Sequence, residues 1–133
     1  MTIHKIRLVG GEREETATVV QNDAGEGCRL VCSFRGTELT AIATDFFEAL
    51  CLIRLELEKE GLNLLCYGSS LNVYPSRMAR EMGAGLKAYK MTMSRRTSMS
   101  DLVDIFSDGP DVVPASVSEQ REFLERWVAS IRE

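Results

Sequence analysis

The sequence holds a single histidine, His4, and that scarcity removes a large part of enzyme chemistry. A Ser-His-Asp or Cys-His arrangement would have to be built on this one imidazole. His4 sits within an alternating stretch, where it reads as one face of a strand and not as a general base, so no catalytic residue is assigned. Metal ligation is equally poorly provided for. The four cysteines, Cys28, Cys32, Cys51 and Cys66, show no Cys-x-x-Cys spacing, no second histidine exists, and common zinc sites take three or four such ligands. Neither a metal nor a cofactor is expected. On one strand Cys28 and Cys32 would lie about 13 Å apart, too far to bridge, so the cysteines are expected as reduced, buried, small apolar residues.

Long apolar runs are missing as well. None approaches the roughly 20 residues that span a bilayer, and MTIHKIRLVGGE has no apolar core of a signal peptide. A cytoplasmic chain with no membrane partner is expected. Positive charge is not in excess: the net charge is −4 and the pI about 5.1. Such a chain has no general electrostatic reason to hold nucleic acid. The glycines of Gly83-Ala84-Gly85 precede a strand and not a helix, which marks a turn and not a phosphate cradle. The carboxylate pairs Asp101/Asp104 and Asp108/Asp111 read as solvated loop acids, because nothing in the sequence raises either member's pKa.

What is present is ordinary globular material, 44% apolar and 27% charged over 133 residues, the usual size of one domain spanning 1–133. Ile3 to Val9 alternates, with His4, Ile6 and Leu8 on one side. Glu15 to Gln21 is rich in Thr and Val, which suit a pleated surface. Asn22-Asp23-Ala24-Gly25 supplies turn residues. Cys28 to Phe34 gives the cleanest alternation and joins Thr37 to Ile42 through Arg35-Gly36, a two-residue hairpin turn. The first 42 residues therefore read as a four-stranded antiparallel meander.

A helix is expected from Asp45 to Glu60, capped by Asp45 with Glu48 and ended by Gly61. Phe46, Leu50, Ile53 and Leu57 form its apolar stripe, widened by Phe47, Cys51 and Leu55. Burial of about four such side chains at roughly 1.5–3 kcal/mol each would make this helix the main partner of the meander. Leu62 to Tyr67 and Leu86 to Met93 read as two further strands of the sheet. Between them Pro75 opens a turn or two of helix, Ser76 to Met82, that Gly83 ends. Ser100 to Phe106 reads as a helical turn, with an extended edge strand as the alternative. Ser116 with Glu119 forms a capping box opening a last helix, with Val117, Phe123, Leu124, Trp127, Val128 and Ile131 as its buried stripe. The fold class is α+β: an antiparallel sheet with two main helices packed on one face.

Charge is unevenly distributed. Residues 70–96 carry a net charge of +5 and residues 97–133 a net charge of −5. Either the two halves face each other or are simply solvated, or the surface is polarised towards a charged partner. The candidate binding residues in the basic stretch are Tyr74, Arg77, Arg80 and Lys87.

At YGSSLNVYPSRMAREMGAGLKAYKM, followed by LVDIF and PASVSEQREFLERWVASI, the chain resembles small bacterial proteins identified as immunity proteins of polymorphic or contact-dependent toxin systems. The resemblance covers about Asp45 to Ile131 and is most specific from NVYPSRM through GLKAY. It implies a cytoplasmic protein that binds and neutralises a cognate toxin domain, without catalysis and with no set of functional residues to carry over. The alternative from another class is a small enzyme or ligand-binding domain that uses the stretch 74–90 for an anionic small molecule.

Overall fold

Four strands follow one another in a continuous antiparallel ladder: β1 (Thr2–Val9), β2 (Glu15–Asp23), β3 (Cys28–Phe34) and β4 (Thr37–Ala43). The computed structural model describes residues 1–23, 25 and 27–132. The turn expected at Asn22-Asp23-Ala24-Gly25 includes Ala24, which lies outside them. The β3–β4 hairpin turns through Arg35 (φ 49°) and Gly36 (φ 73°). Positive φ at both central residues is the mirror-image turn whose twist matches paired strands. One face of the meander is buried, with Ile6, Leu8, Val19, Leu30 and Cys32 at 4% exposure or less. All four cysteines are buried.

A helix, α1 (Phe46–Glu58), covers that face. Asp45 caps it by accepting from the Glu48 N–H at 2.8 Å, and Gly61 at φ 72° turns the chain away from it. Phe46, Phe47, Leu50, Cys51, Ile53 and Leu57 are buried as the stripe requires, but Leu55 is 45% exposed and Leu52 40% exposed. The apolar stripe is therefore narrower than its composition indicates.

The α+β class holds, with eight strands in two sheets and three α-helices among the described residues. Strand β5 (Asn63–Leu64) joins the meander beside β1, giving the order β4-β3-β2-β1-β5. The strand expected at Leu86 to Met93 does not extend that sheet. As β7 (Lys87–Lys90) it lies between β6 (Val73–Tyr74) and β8 (Leu102–Asp104) in a second antiparallel sheet. Ser100 to Phe106 is a 3-10 turn at Met99–Asp101 followed by that β8 strand. Both sheets feed one hydrophobic cluster that includes Leu30, Leu50, Val73, Ala88 and Ile105.

Helix α2 (Arg77–Gly83) is capped by Ser76, whose hydroxyl accepts from the Ala79 N–H at 3.0 Å. Gly83 is its last residue, and the chain leaves it through Ala84 in the left-handed region, φ 55°. The last helix, α3 (Val117–Ile131), opens with the expected Ser116/Glu119 capping box and meets α1 and β6. Its apolar stripe is a correction to the sequence reading. Val117, Phe123, Leu124, Trp127, Val128 and Ile131 are all half-buried, and Gln120 alone on this helix is buried. The Trp127 indole N–H is shared between the Thr92 and Arg95 carbonyls, both at 3.0 Å. Trp127→Ala is therefore expected to lower the free energy of unfolding by about 1–3 kcal/mol, short of the ~3–5 kcal/mol of a fully buried tryptophan. Denaturant titration measures the difference. A loss of the full size would mean that the ring is buried in solution.

Candidate functional site

Asp45 organises the neighbourhood of the predicted binding stretch. One of its oxygens caps α1, and the other accepts from Arg80 Nη1 at 3.2 Å. Glu48 Oε2 lies 3.6 Å from the same nitrogen. The Arg80 guanidinium also lies over two aromatic faces, 5.0 Å from the Phe47 ring centre and 5.3 Å from that of Tyr74. Those rings meet edge to face at 4.9 Å. A charge partly withdrawn from water in this way is held by two carboxylates and two π-clouds. Gly85 completes the seam, because a Cβ there would stand 2.7 Å from Asp45 Oδ1 and 3.0 Å from the Phe47 nitrogen.

The structure thus brings Tyr74 and Arg80 together and sends the other two predicted residues elsewhere. Arg77 points outward on α2 and pairs with Glu81 at 2.9 Å, one turn on. Lys87 pairs with Asp104 at 2.7 Å. Tyr74 Oη accepts from Arg121 Nη2 at 3.3 Å. The four do not form a common cationic pocket. Arg77, Arg80 and Lys87 each have a carboxylate on this chain.

Helix α2 is attached to the body from beneath and open above. Its inner side carries Arg80, and the Ala84 carbonyl accepts from the Phe46 N–H at 2.8 Å. No residue of α2 is buried, and Met78 and Met82, one turn apart, are 72% and 84% exposed. They make an apolar, flexible and polarisable surface raised on a fixed base.

The paired acidic residues are committed to structure. Asp101 accepts from the Ser98 N–H at 2.9 Å, and Asp108 accepts from the Gly109 N–H at 2.7 Å and pairs with Arg7 at 3.3 Å. Asp111 accepts from Tyr67 Oη at 2.6 Å and from Lys90 at 3.1 Å. The Lys87–Asp104 and Lys90–Asp111 pairs join the basic stretch to the acidic one, so in part the two halves face each other. His4 stacks on Phe106 at 4.3 Å, and its Nε2 lies 2.9 Å from Gln21 Oε1, as a strand-face residue would. No group of three or more His, Cys, Asp or Glu among the described residues could hold a metal ion. No helix among them is long and apolar enough to cross a membrane.

These pairings fix the direction of the acid response. The Tyr67 hydroxyl, then Lys90, holds the Asp111 carboxyl below its ordinary value of 3.8. The Ser116 backbone N–H lowers Glu119, and Arg35 lowers Glu15, both below 4.5. Each folded-state value lies below the unfolded one. The stabilisation is therefore complete above the ordinary carboxylate range and is lost as pH falls through the lowered folded values. All three groups are solvent-accessible, so salt screens the effect. Thermal melts should show a falling midpoint on acidification, with the fall starting near the ordinary carboxylate range. In Asp111→Asn that fall should be smaller.

A buried polar pair escaped the sequence reading altogether. Arg54 on α1 is 1% exposed and Gln120 on α3 is 1% exposed. Arg54 Nη1 donates to Gln120 Oε1 at 2.6 Å and to the Gly68 carbonyl at 3.0 Å, while Nη2 donates to the Ala115 carbonyl at 3.0 Å. Gln120 Nε2 is directed at the carbonyls of Gly68, Ser70 and Val73 at 3.0, 2.9 and 2.9 Å. The sequence carried a signal: Arg54 falls between Leu50 and Leu57 on the apolar side of its helix, and Gln120 between Val117 and Leu124. With Arg54 Nε lacking a partner and carbonyls for the other donors, this is an internal brace between α1, α3 and the 67–73 segment.

Compared with known proteins, the chain matches no family model and no curated protein.

Proposed function

We propose that the chain is a non-enzymatic binding protein of the immunity type, which binds and neutralises a cognate bacterial toxin domain in the cytoplasm. The observation that supports this reading best is α2, a short capped helix with no buried residue whose Met78 and Met82 project from a base fixed by Arg80. Exposed methionines adapt to a partner's contour at little cost in strain, and such patches mark interaction surfaces. The helix lies within the stretch, NVYPSRM to GLKAY, that carries the resemblance to immunity proteins. The net charge of −4 favours approach to a basic partner such as a nuclease domain.

The anionic-ligand alternative has less behind it. A small anion needs cations that are not already neutralised, and Arg77, Arg80 and Lys87 are each ion-paired.

Co-expression with the toxin domain encoded beside the gene should give a complex that survives purification and in which the toxin's activity is lost. Met78→Glu with Met82→Glu should leave the circular dichroism spectrum unchanged and weaken the complex about 30-fold or more, as expected for loss of an interface hot spot. Absence of any complex sinks the immunity reading. A complex of undiminished affinity moves the contact away from α2.

A further inference from the structure

The sheets of this chain have edges of very unequal length. Strands β6 and β8 have two and three residues and leave the second sheet little edge. At the far end of the first sheet β5 covers only Leu8 and Val9 of β1. The stretch of β1 left bare, Thr2 to Ile6, carries Lys5, a charge of the kind that blunts an edge. The fourth edge is β4, seven residues from Thr37 to Ala43 in unbroken register with β3. Along an edge strand alternate N–H and C=O groups point away from the sheet, and proteins usually blunt such an edge with proline, lysine or a bulge. TELTAIA has none of these. Among the described residues no backbone hydrogen bond reaches the outer side of β4.

Beside that edge runs a groove of about 480 Å³ between β4 and α1. Leu52 and Leu55 of α1 overhang it at 40% and 45% exposure, and Ile42 at the end of β4 is 53% exposed. Three large apolar side chains are thus left in water next to unpaired backbone.

We propose that β4 is the pairing edge of a homodimer, in which a second copy adds its own β4 antiparallel and joins the two five-stranded sheets into one. The occupant follows from the strand's self-complementarity. A two-fold axis through Thr40 sets Thr40 against Thr40, Leu39 against Ala41, Glu38 against Ile42 and Thr37 against Ala43. The only charge on the strand therefore meets an apolar side chain and stands clear of its own copy. Both α1 helices fall on the same side of the joined sheet, where Leu52 and Leu55 of each copy cover those of the other. An isologous contact of this kind needs one patch to fit itself, and this patch carries no like-charge opposition in that register. The homodimer is independent of the toxin-binding reading, since α2 lies outside the β4–α1 groove.

Sedimentation equilibrium and light scattering from micromolar to millimolar protein should show the mass rising from 14.8 kDa to twice that value. In the same range, amide exchange along β4 should slow. Two variants at exposed positions test the geometry without disturbing the core. Thr40→Lys places like charges at the two-fold axis, and Leu52→Glu with Leu55→Glu does so over the groove. Each should keep the wild-type circular dichroism spectrum and weaken association at least about tenfold. A mass of 14.8 kDa at the highest concentration overturns the proposal, and so does a dimer whose dissociation constant neither variant changes.

Discussion

Gln120→Leu is expected to lower the free energy of unfolding by about 3–5 kcal/mol, the range found when one partner of a buried charged group is removed. The side chains are similar in volume, so the loss is not one of packing. Without the amide, Arg54 loses its 2.6 Å acceptor, and the Val73 carbonyl loses a donor at 2.9 Å in a place that water does not reach. Each buried group left without a partner costs about 1–3 kcal/mol. Arg54→Met combined with Gln120→Leu removes the charge together with its acceptor. The double variant should therefore lose at least about 1 kcal/mol less than the sum of the two single ones. Guanidinium titration of the four proteins completes the cycle. Additive losses would mean that Arg54 and Gln120 act separately.

The second large effect is expected at Gly68, in the 3-10 turn Tyr67–Ser69. A Cβ there would stand 2.4 Å from Leu50 Cδ2, 2.9 Å from the Ile105 carbonyl oxygen and 3.1 Å from Ile105 Cβ. The Gly68 N–H donates to that same Ile105 carbonyl at 2.8 Å, so the turn cannot retreat without breaking the bond. Gly68→Ala should cost about 3 kcal/mol, at the upper end of ordinary overpacking, because two of the three opposing atoms belong to the far side of a closed core. Trimming Leu50 to alanine in the same chain removes the closest clash but leaves the Ile105 carbonyl. The double variant should accordingly recover only part of what its single losses sum to, as read from denaturation midpoints.

The parts of this fold that were legible in the sequence are those whose signal is local. Cys28 to Phe34 alternates cleanly because one face of β3 is buried and the other is not, and the period of two survives over seven residues. Asp45, Ser76 and Ser116 announce helix starts because a cap is a contact with the third residue on. The second sheet was not legible as a separate sheet. Its strands have two to four residues, too few for a period to show, and their partners are chosen by tertiary contacts.

The candidate site divides along the same line. Tyr74 and Arg80 were recognisable as residue types, and they do meet. That Arg80 belongs to Asp45, thirty-five positions earlier, depends on how α2 folds back over the start of α1. The burial of Arg54 depends on α3 bringing Gln120 across sixty-six positions. Sequence spacing alone assigns a long charged side chain to solvent, and here it was an arginine in an apolar stripe that carried the exception.

The brace around Arg54 also sets an order on synthesis. Strands β1 to β4 pair with one another in chain order, so the meander can assemble as it emerges, before β5 adds beside β1. Helix α1 can dock on it, but with an arginine that has found neither the Ala115 carbonyl nor Gln120. Until residues 115–120 have been made, the nascent chain must leave that flank wet or carry an uncompensated charge into its interior. The amino-terminal half therefore waits for the carboxy-terminal helix, and a ribosome stalled before that point holds an open protein.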